Sequence, residues 1–120
     1  MDRIGEFVRG NLPGANAMQF VRAFQKAYDA AYGGLGADQE LHLEYHSPAG
    51  EIIRVARLNF DPNVDAWLID GQSKNTGDWG RVFAPVRTVH LMLRVVTVEE
   101  GEQPERRRIG FTVAGDETGS

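Results

Sequence analysis

The sequence predicts a single α+β domain in which two N-terminal helices precede a small, strongly bent antiparallel sheet or barrel of five to six strands. Three observations indicate this fold class. Apolar residues recur at helical spacing before residue 33, they alternate with a period of two between residues 40 and 113, and turn residues separate the alternating runs. We expect residues 1–33 to form the helical part, 40–113 the β part and 114–120 a disordered tail.

The clearest helix is predicted from Ala17 to Tyr32. Asn16 can cap its start, and Gly33 suits its end. An aromatic stripe recurs along it at intervals of four residues: Phe20, Phe24 and Tyr28. We expect this stripe to cover the sheet, and we expect a shorter first helix over residues 2–9.

Five apolar runs are predicted to be strands, at residues 41–46, 52–60, 66–70, 82–98 and 106–113. The first two are joined by the turn S47-P-A-G-E51 and therefore predict a β-hairpin. Pro85 is expected to divide the fourth run into a short strand and a long one. The buried face of the long strand is predicted to carry Val89, Leu91, Leu93 and Val95.

Composition excludes several classes of protein. The chain of 120 residues has a net charge of -4, which argues against non-specific duplex binding. It has no cysteine, which fits a reducing compartment, and it lacks an apolar run of the roughly 18 residues that a membrane span needs. We therefore expect a cytoplasmic protein that does not enter a membrane.

Catalytic and metal signatures are weak. His42, Glu44 and His46 share one face of a strand at about 7 Å spacing, yet a metal would need a further ligand, so a solvated strand face is favoured. The run D61-P-N-V-D65 begins like a calcium loop but has Ala66 where that loop needs glycine. We expect neither a metal nor a cofactor, and an enzyme is the less favoured reading.

Two basic stretches stand out. The triplet R106-R-R108 follows the acidic turn E99-E-G-E, which predicts a charge-paired hairpin. Arg81, Phe83 and Arg87 alternate along a predicted strand path and could grip an anion beside a ring. The alternative is that Phe83 lies in the core while the arginines pair with carboxylates, namely Asp70, Asp78 or Glu51.

Several motifs together resemble a WYL domain, the small Sm/SH3-like β-barrel of many bacterial regulators. The hairpin L41-H-L-E-Y45-H-S-P-A-G50-E-I-I-R54 resembles the family's opening hairpin, and Trp67, Leu68 and Ile69 fall at its naming tripeptide. R81-V-F-A-P-V-R87 resembles its late motif R-x-F-R-x-x-R. The sequence departs from the family at Leu68, in place of tyrosine, and at Ala84, in place of arginine.

The resemblance implies a non-enzymatic regulatory module that binds a small anionic ligand, a nucleotide or short single-stranded nucleic acid, and signals through a protein partner or as a homodimer. Carried over by motif, the ligand-binding residues would be Tyr45, Ser47, Arg54, Trp67, Arg81, Phe83 and Arg87. Two alternatives stay open. One is a protein adaptor without a small ligand. The other is a pocket protein or enzyme resembling nuclear transport factor 2, which needs Asp61, Asp65 or His90 to point inward.

Overall fold

The computed structural model describes residues 13–113, in which one helix precedes six strands. The elements in chain order are α1 (Pro13–Gly33), β1 (Gln39–His46), β2 (Ile52–Asp61), β3 (Ala66–Ser73), β4 (Trp79–Pro85), β5 (His90–Thr97) and β6 (Gly110–Val113). Within these residues no helix is long and apolar enough to cross a membrane.

The predicted fold class is wrong. Residues 13–113 contain a single helix, and their sheet is open rather than closed into a barrel, with β6 parallel to β2 rather than antiparallel. The expected helix over residues 2–9 and the expected disordered tail at 114–120 lie outside the described residues. Closure would need β4 and β5 to pair, whereas each of them pairs only with its inner neighbour in the described part of the chain.

The sheet has the order β4-β3-β2-β1-β5, with all of these neighbours antiparallel. β6 pairs with β2 in parallel, from Arg57 opposite Gly110 to Phe60 opposite Val113. One side of β2 is therefore shared by two strands. Its first residues pair with β1 and its last residues pair with β6. The strand predicted over residues 106–113 is confirmed only for its second half, Gly110–Val113.

A β-bulge separates the two halves of β2. Its register against β3 shifts between Val55 and Arg57, so buried positions change from odd numbers to even ones along the strand. Gly71 faces this bulge, and a Cβ there would lie 2.3 Å from the carbonyl oxygen of Arg54. Only glycine allows β3 to approach β2 this closely.

The core lies between α1 and the inner face of the sheet. Its largest members with almost no exposed surface are Trp67, Phe60, Leu43, Leu58 and Ile69. The stripe that α1 presents to them is Ala17, Val21, Phe24 and Tyr28. Phe20 is 49% exposed, so the predicted stripe of aromatic residues is wrong at its first member. Spacings that alternate between three and four follow the helical period better than repeated fours.

Candidate ligand-binding cleft

A cleft opens where β1 and β2 part. The two strands pair only from Glu44 to His46 against Ile52 to Arg54, and beyond that point β1 leaves while β2 continues toward β6. The irregular segment 105–109 crosses the gap. The cleft between them has a volume of about 270 Å³. We call it the fork cleft, and its polar and aromatic lining is His42, Arg54, Gln72, Trp79, Glu105, Arg107 and Arg108.

Arg54 is the cation at the centre of the fork cleft. Its guanidinium Nη2 lies 2.8 Å from the carboxylate Oε1 of Glu105, and both side chains are about half exposed. The backbone N–H of Glu105 donates to Glu40, whose other carboxylate oxygen lies 2.6 Å from His42 Nε2. The Glu105 N–H, followed by the His42 hydrogen bond, lowers the pKa of Glu40. Glu105 and His42, which line the cleft, are therefore both hydrogen-bonded to Glu40, which lies outside that lining.

The segment 105–109 is held in place by α1. Tyr28 Oη accepts a hydrogen bond from the N–H of Ile109, and Tyr32 donates its hydroxyl hydrogen to the carbonyl of Arg106. Arg108 pairs with Asp29, and its guanidinium carbon lies 4.7 Å from the centre of the Tyr32 ring. This wall of the fork cleft is thus fixed to the helix and does not depend on a ligand.

Arg107 is the second cation of the fork cleft. In residues 13–113 it has no carboxylate partner, in contrast to Arg54 and Arg108. An exposed guanidinium without a carboxylate is the group best able to take up an anionic ligand.

Trp79 forms the outer wall of the fork cleft and is 65% exposed. It is the first residue of β4. Every second side chain of this strand, namely Trp79, Arg81 and Phe83, lies on the exposed face of the sheet. Arg81 forms a two-pronged pair with Asp70, at 2.6 and 3.1 Å. Its hydrogen bonds lower the pKa of that carboxyl group. Phe83 is 70% exposed, so its ring lies at the surface and not in the core.

The seven residues carried over from the WYL resemblance do not form one group. Arg54 lines the fork cleft, and Arg81 and Phe83 lie on the outer face of β4. Arg87 is exposed in the connection after β4, and Ser47 lies in the β1–β2 turn, where its hydroxyl accepts the N–H of Glu51.

The two remaining rings of that set are buried. Tyr45 is 8% exposed and Trp67 is fully buried, both on the core face of the sheet. The indole N–H of Trp67 has no hydrogen-bond partner within the described residues. These rings support the sheet from inside and present no surface to a ligand in the structure.

Sequence reasoning missed Glu44, which is completely buried on the outer face of β1. Arg94 reaches both of its oxygens at 3.1 and 3.2 Å, Lys74 lies at 2.8 Å and His46 at 3.0 Å. Burial by itself would raise the pKa of Glu44, but hydrogen bonds from Arg94, Lys74 and His46 outweigh it and lower the pKa to about 2. We call these four residues the Glu44 cluster.

The Glu44 cluster explains the H-x-E-x-H pattern of residues 42–46 as part of an ion-pair network. The central carboxylate is occupied by cations, and the residues between 13 and 113 bring together no three histidine or carboxylate side chains that could hold a metal ion. The signal in the sequence was a glutamate between two apolar residues of a strand. The role of Glu44 depends on Arg94 and Lys74, which lie beside it in the fold but far from it along the chain.

The three candidate acid or base residues are dispersed. Asp61 accepts the N–H of Asn63 in the β2–β3 turn, Asp65 has one buried carboxylate oxygen without a partner in the described residues, and His90 is exposed at the start of β5. The fork cleft contains none of the three.

Comparison of the chain with protein-family models, with curated proteins and with solved structures found no match.

Proposed function

We propose that this chain is a non-enzymatic binding module that takes a small anionic ligand with an aromatic ring, such as a nucleotide, in the fork cleft. The observation that carries the proposal is the presence of Arg54, Arg107 and Trp79 around one cleft of about 270 Å³. This retains the function that the WYL resemblance implies but transfers it to a different set of residues.

The cations support recognition of phosphate or carboxylate. Arg107 has no carboxylate partner within residues 13–113, and Arg54 is hydrogen-bonded to the half-exposed Glu105 and lies within electrostatic range of Glu40. An exposed ion pair contributes less than about 1 kcal/mol, so a ligand anion can replace the Glu105 carboxylate at small cost. Two guanidinium groups then converge on one ligand anion, and forked hydrogen bonds orient it.

The aromatic wall supports recognition of a ring. Trp79 is exposed beside the cationic part of the cleft, and Gln72 is its neighbour across the β3–β4 pair. Base stacking on an exposed aromatic side chain contributes about 1 to 3 kcal/mol. The Gln72 Nε2 donates to the carbonyl of Gly77, and the amide oxygen of Gln72 can accept from a base edge.

Tryptophan fluorescence provides the test. The chain has two tryptophans, of which Trp67 is buried and Trp79 is exposed, so quenching of long-wavelength emission reports on Trp79. Titration with nucleoside monophosphates, a cyclic nucleotide and a short oligothymidine at two salt concentrations is expected to give saturable quenching that weakens with salt. Arg54→Ala and Arg107→Ala are each expected to weaken binding about tenfold.

Arg22→Ala is the matched control, because Arg22 is an exposed arginine of α1 outside the lining of the fork cleft. It is expected to bind as the wild type does. Absence of saturable quenching with every probe at low salt would overturn the proposal. Equal weakening by all three arginine variants would also overturn it, because binding would then reflect general charge alone.

A second candidate is a protein adaptor that docks a partner on the outer face of β4. The specific observation is the pair of exposed rings at Trp79 and Phe83 on an edge strand. Phe83→Ala separates the two functions, since Phe83 is outside the lining of the fork cleft. Nucleotide binding should survive this change if the fork cleft is the site. The cytoplasmic location expected from the sequence stays a prediction.

A further inference from the structure

The two edges of the sheet are protected to different degrees. β4 contains Gly80, Arg81 and Pro85, which interrupt or charge an edge and so discourage further pairing. β5 has the sequence HLMLRVVT, without proline, glycine or lysine, and it pairs with β1 over eight consecutive positions without a bulge. A long, regular, apolar edge of this kind readily accepts another strand.

Apolar surface is concentrated beside that same edge. Met92 and Val95 of β5 are 42% and 49% exposed, although strand residues of this size are usually covered. Phe20 is exposed at the rim of an apolar groove between α1 and β5, which has a volume of about 530 Å³ and includes Leu91 and Leu93. A strand added to β5 would extend the core face of the sheet along this groove.

The charge pattern of β5 selects its own copy as the added strand. Arg94 is the only lysine, arginine, aspartate or glutamate of β5, and its guanidinium is already bound by Glu44. Antiparallel pairing of two β5 strands about a two-fold axis at Leu93 places Leu91 opposite Val95 and Met92 opposite Arg94. Apolar residues then face each other on the core side, and no like charges are directly opposed.

We propose that the chain forms a symmetric homodimer in which β5 pairs with β5 of a second copy, with Leu93 at the two-fold axis. Pairing centred on Arg94 would place two arginines opposite each other, and pairing centred on Met92 would place His90 opposite Arg94. The Leu93 register avoids both arrangements and uses seven positions, from His90 to Val96. The dimer does not depend on the fork cleft or its ligand.

The oligomeric state tests the interface. Sedimentation equilibrium from low micromolar to near-millimolar concentration is expected to show a monomer–dimer equilibrium for the wild type. Val95→Lys places a charge on a side chain that is half exposed within one chain, so the fold should persist while the dimer dissociation constant rises at least about tenfold. Val64→Lys, at an exposed apolar residue of the β2–β3 turn, is the matched control and should leave the dimer intact.

Cysteine crosslinking tests the register, because the chain has no cysteine of its own. Opposed residues of antiparallel strands have Cα atoms about 4.5 to 5.5 Å apart, which a disulfide can span. Leu93→Cys should give a covalent dimer on mild oxidation, whereas Val95→Cys should not. The double variant Leu91→Cys/Val95→Cys should also crosslink between copies, and it keeps the test decisive if Leu93→Cys folds poorly.

A wild type that stays monomeric throughout the concentration range would overturn the proposal. A dimer that survives Val95→Lys but is lost in Phe83→Lys would place the contact at β4 and overturn it as well. A dimer that Val95→Lys weakens, but in which neither Leu93→Cys nor the double variant crosslinks, would overturn the Leu93 register. Retention of the wild-type circular dichroism spectrum by each variant shows that the changes report on association.

Discussion

Glu44 and Glu105 are both bound by arginine, but their surroundings differ in almost every other respect. Glu44 is completely buried and accepts hydrogen bonds from three side chains: His46 of β1, Lys74 just after β3 and Arg94 of β5. Glu105 is about half exposed and has one ionic partner, Arg54. The same ionic chemistry therefore stabilises the fold at one position and leaves an exchangeable contact at the other, because burial determines how much a lost partner costs.

The largest expected difference concerns acid stability. The pKa of Glu44 is about 2 in the folded protein, below its ordinary value of 4.5. A lowered folded pKa stabilises the protein above the unfolded pKa, and this contribution is lost as pH falls from about 4.5 toward 2. The shift corresponds to about 3 kcal/mol in the free energy of unfolding. Urea denaturation at a series of pH values between 7 and about 2 measures it.

The matched variant for the acid series is Glu44→Gln, which cannot ionise at this position. Its stability should change less with pH over the same window than that of the wild type. The residual slope should come from groups such as Glu40 and Asp70, whose pKa values are also lowered in the folded state. An equally steep loss in both proteins would show that Glu44 does not dominate the acid response.

A smaller difference is expected at neutral pH. Glu44→Gln keeps the shape of the side chain but removes the charge that Arg94 and Lys74 share, so it should lower the free energy of unfolding by about 2 kcal/mol. Glu105→Gln should cost less than about 1 kcal/mol, since its ion pair is exposed. Urea denaturation at pH 7 compares them, and similar losses in the two variants would contradict the proposed division of roles.

The smallest expected effect is a gain rather than a loss. Glu105 occupies Arg54 in the structure, so Glu105→Gln removes a competing carboxylate from the fork cleft. We expect nucleotide affinity to rise by about threefold to tenfold in the fluorescence titration. Glu102→Gln, at an exposed residue of the preceding turn, is the control for the loss of one negative charge. A similar gain in the control would attribute the effect to net charge.

Local pattern was enough to predict much of the secondary structure. The alternation of Leu41, Leu43 and Tyr45 predicted β1, and the turn after it predicted the hairpin that Ser47 closes. Helical spacing with a terminal Gly33 predicted the body and the end of α1. Each of these signals depends on residues a few positions apart, which is the range over which side-chain periodicity carries information.

Long-range pairing was beyond that range. The sequence predicts that Pro85 divides the run 82–98 into a short strand and a long one. In the structure these two strands, β4 and β5, lie at opposite edges of the sheet. The pairing of β6 with β2 in parallel has no local signature, and it bounds the fork cleft where β1 leaves β2. The Glu44 cluster was missed for the same reason, because Arg94 is 50 residues from Glu44 along the chain.

The wall of the fork cleft formed by residues 105–109 has a consequence for synthesis of the protein. The strands that carry Arg54 and Trp79 leave the ribosome well before this wall does, since the wall precedes β6 near the end of the described chain. A nascent chain can therefore pair β1 through β5 while the fork cleft is still incomplete. The cleft is complete only once the segment from Glu105 to Val113 has emerged and docked onto α1 and β2, so the proposed ligand binding must follow that step.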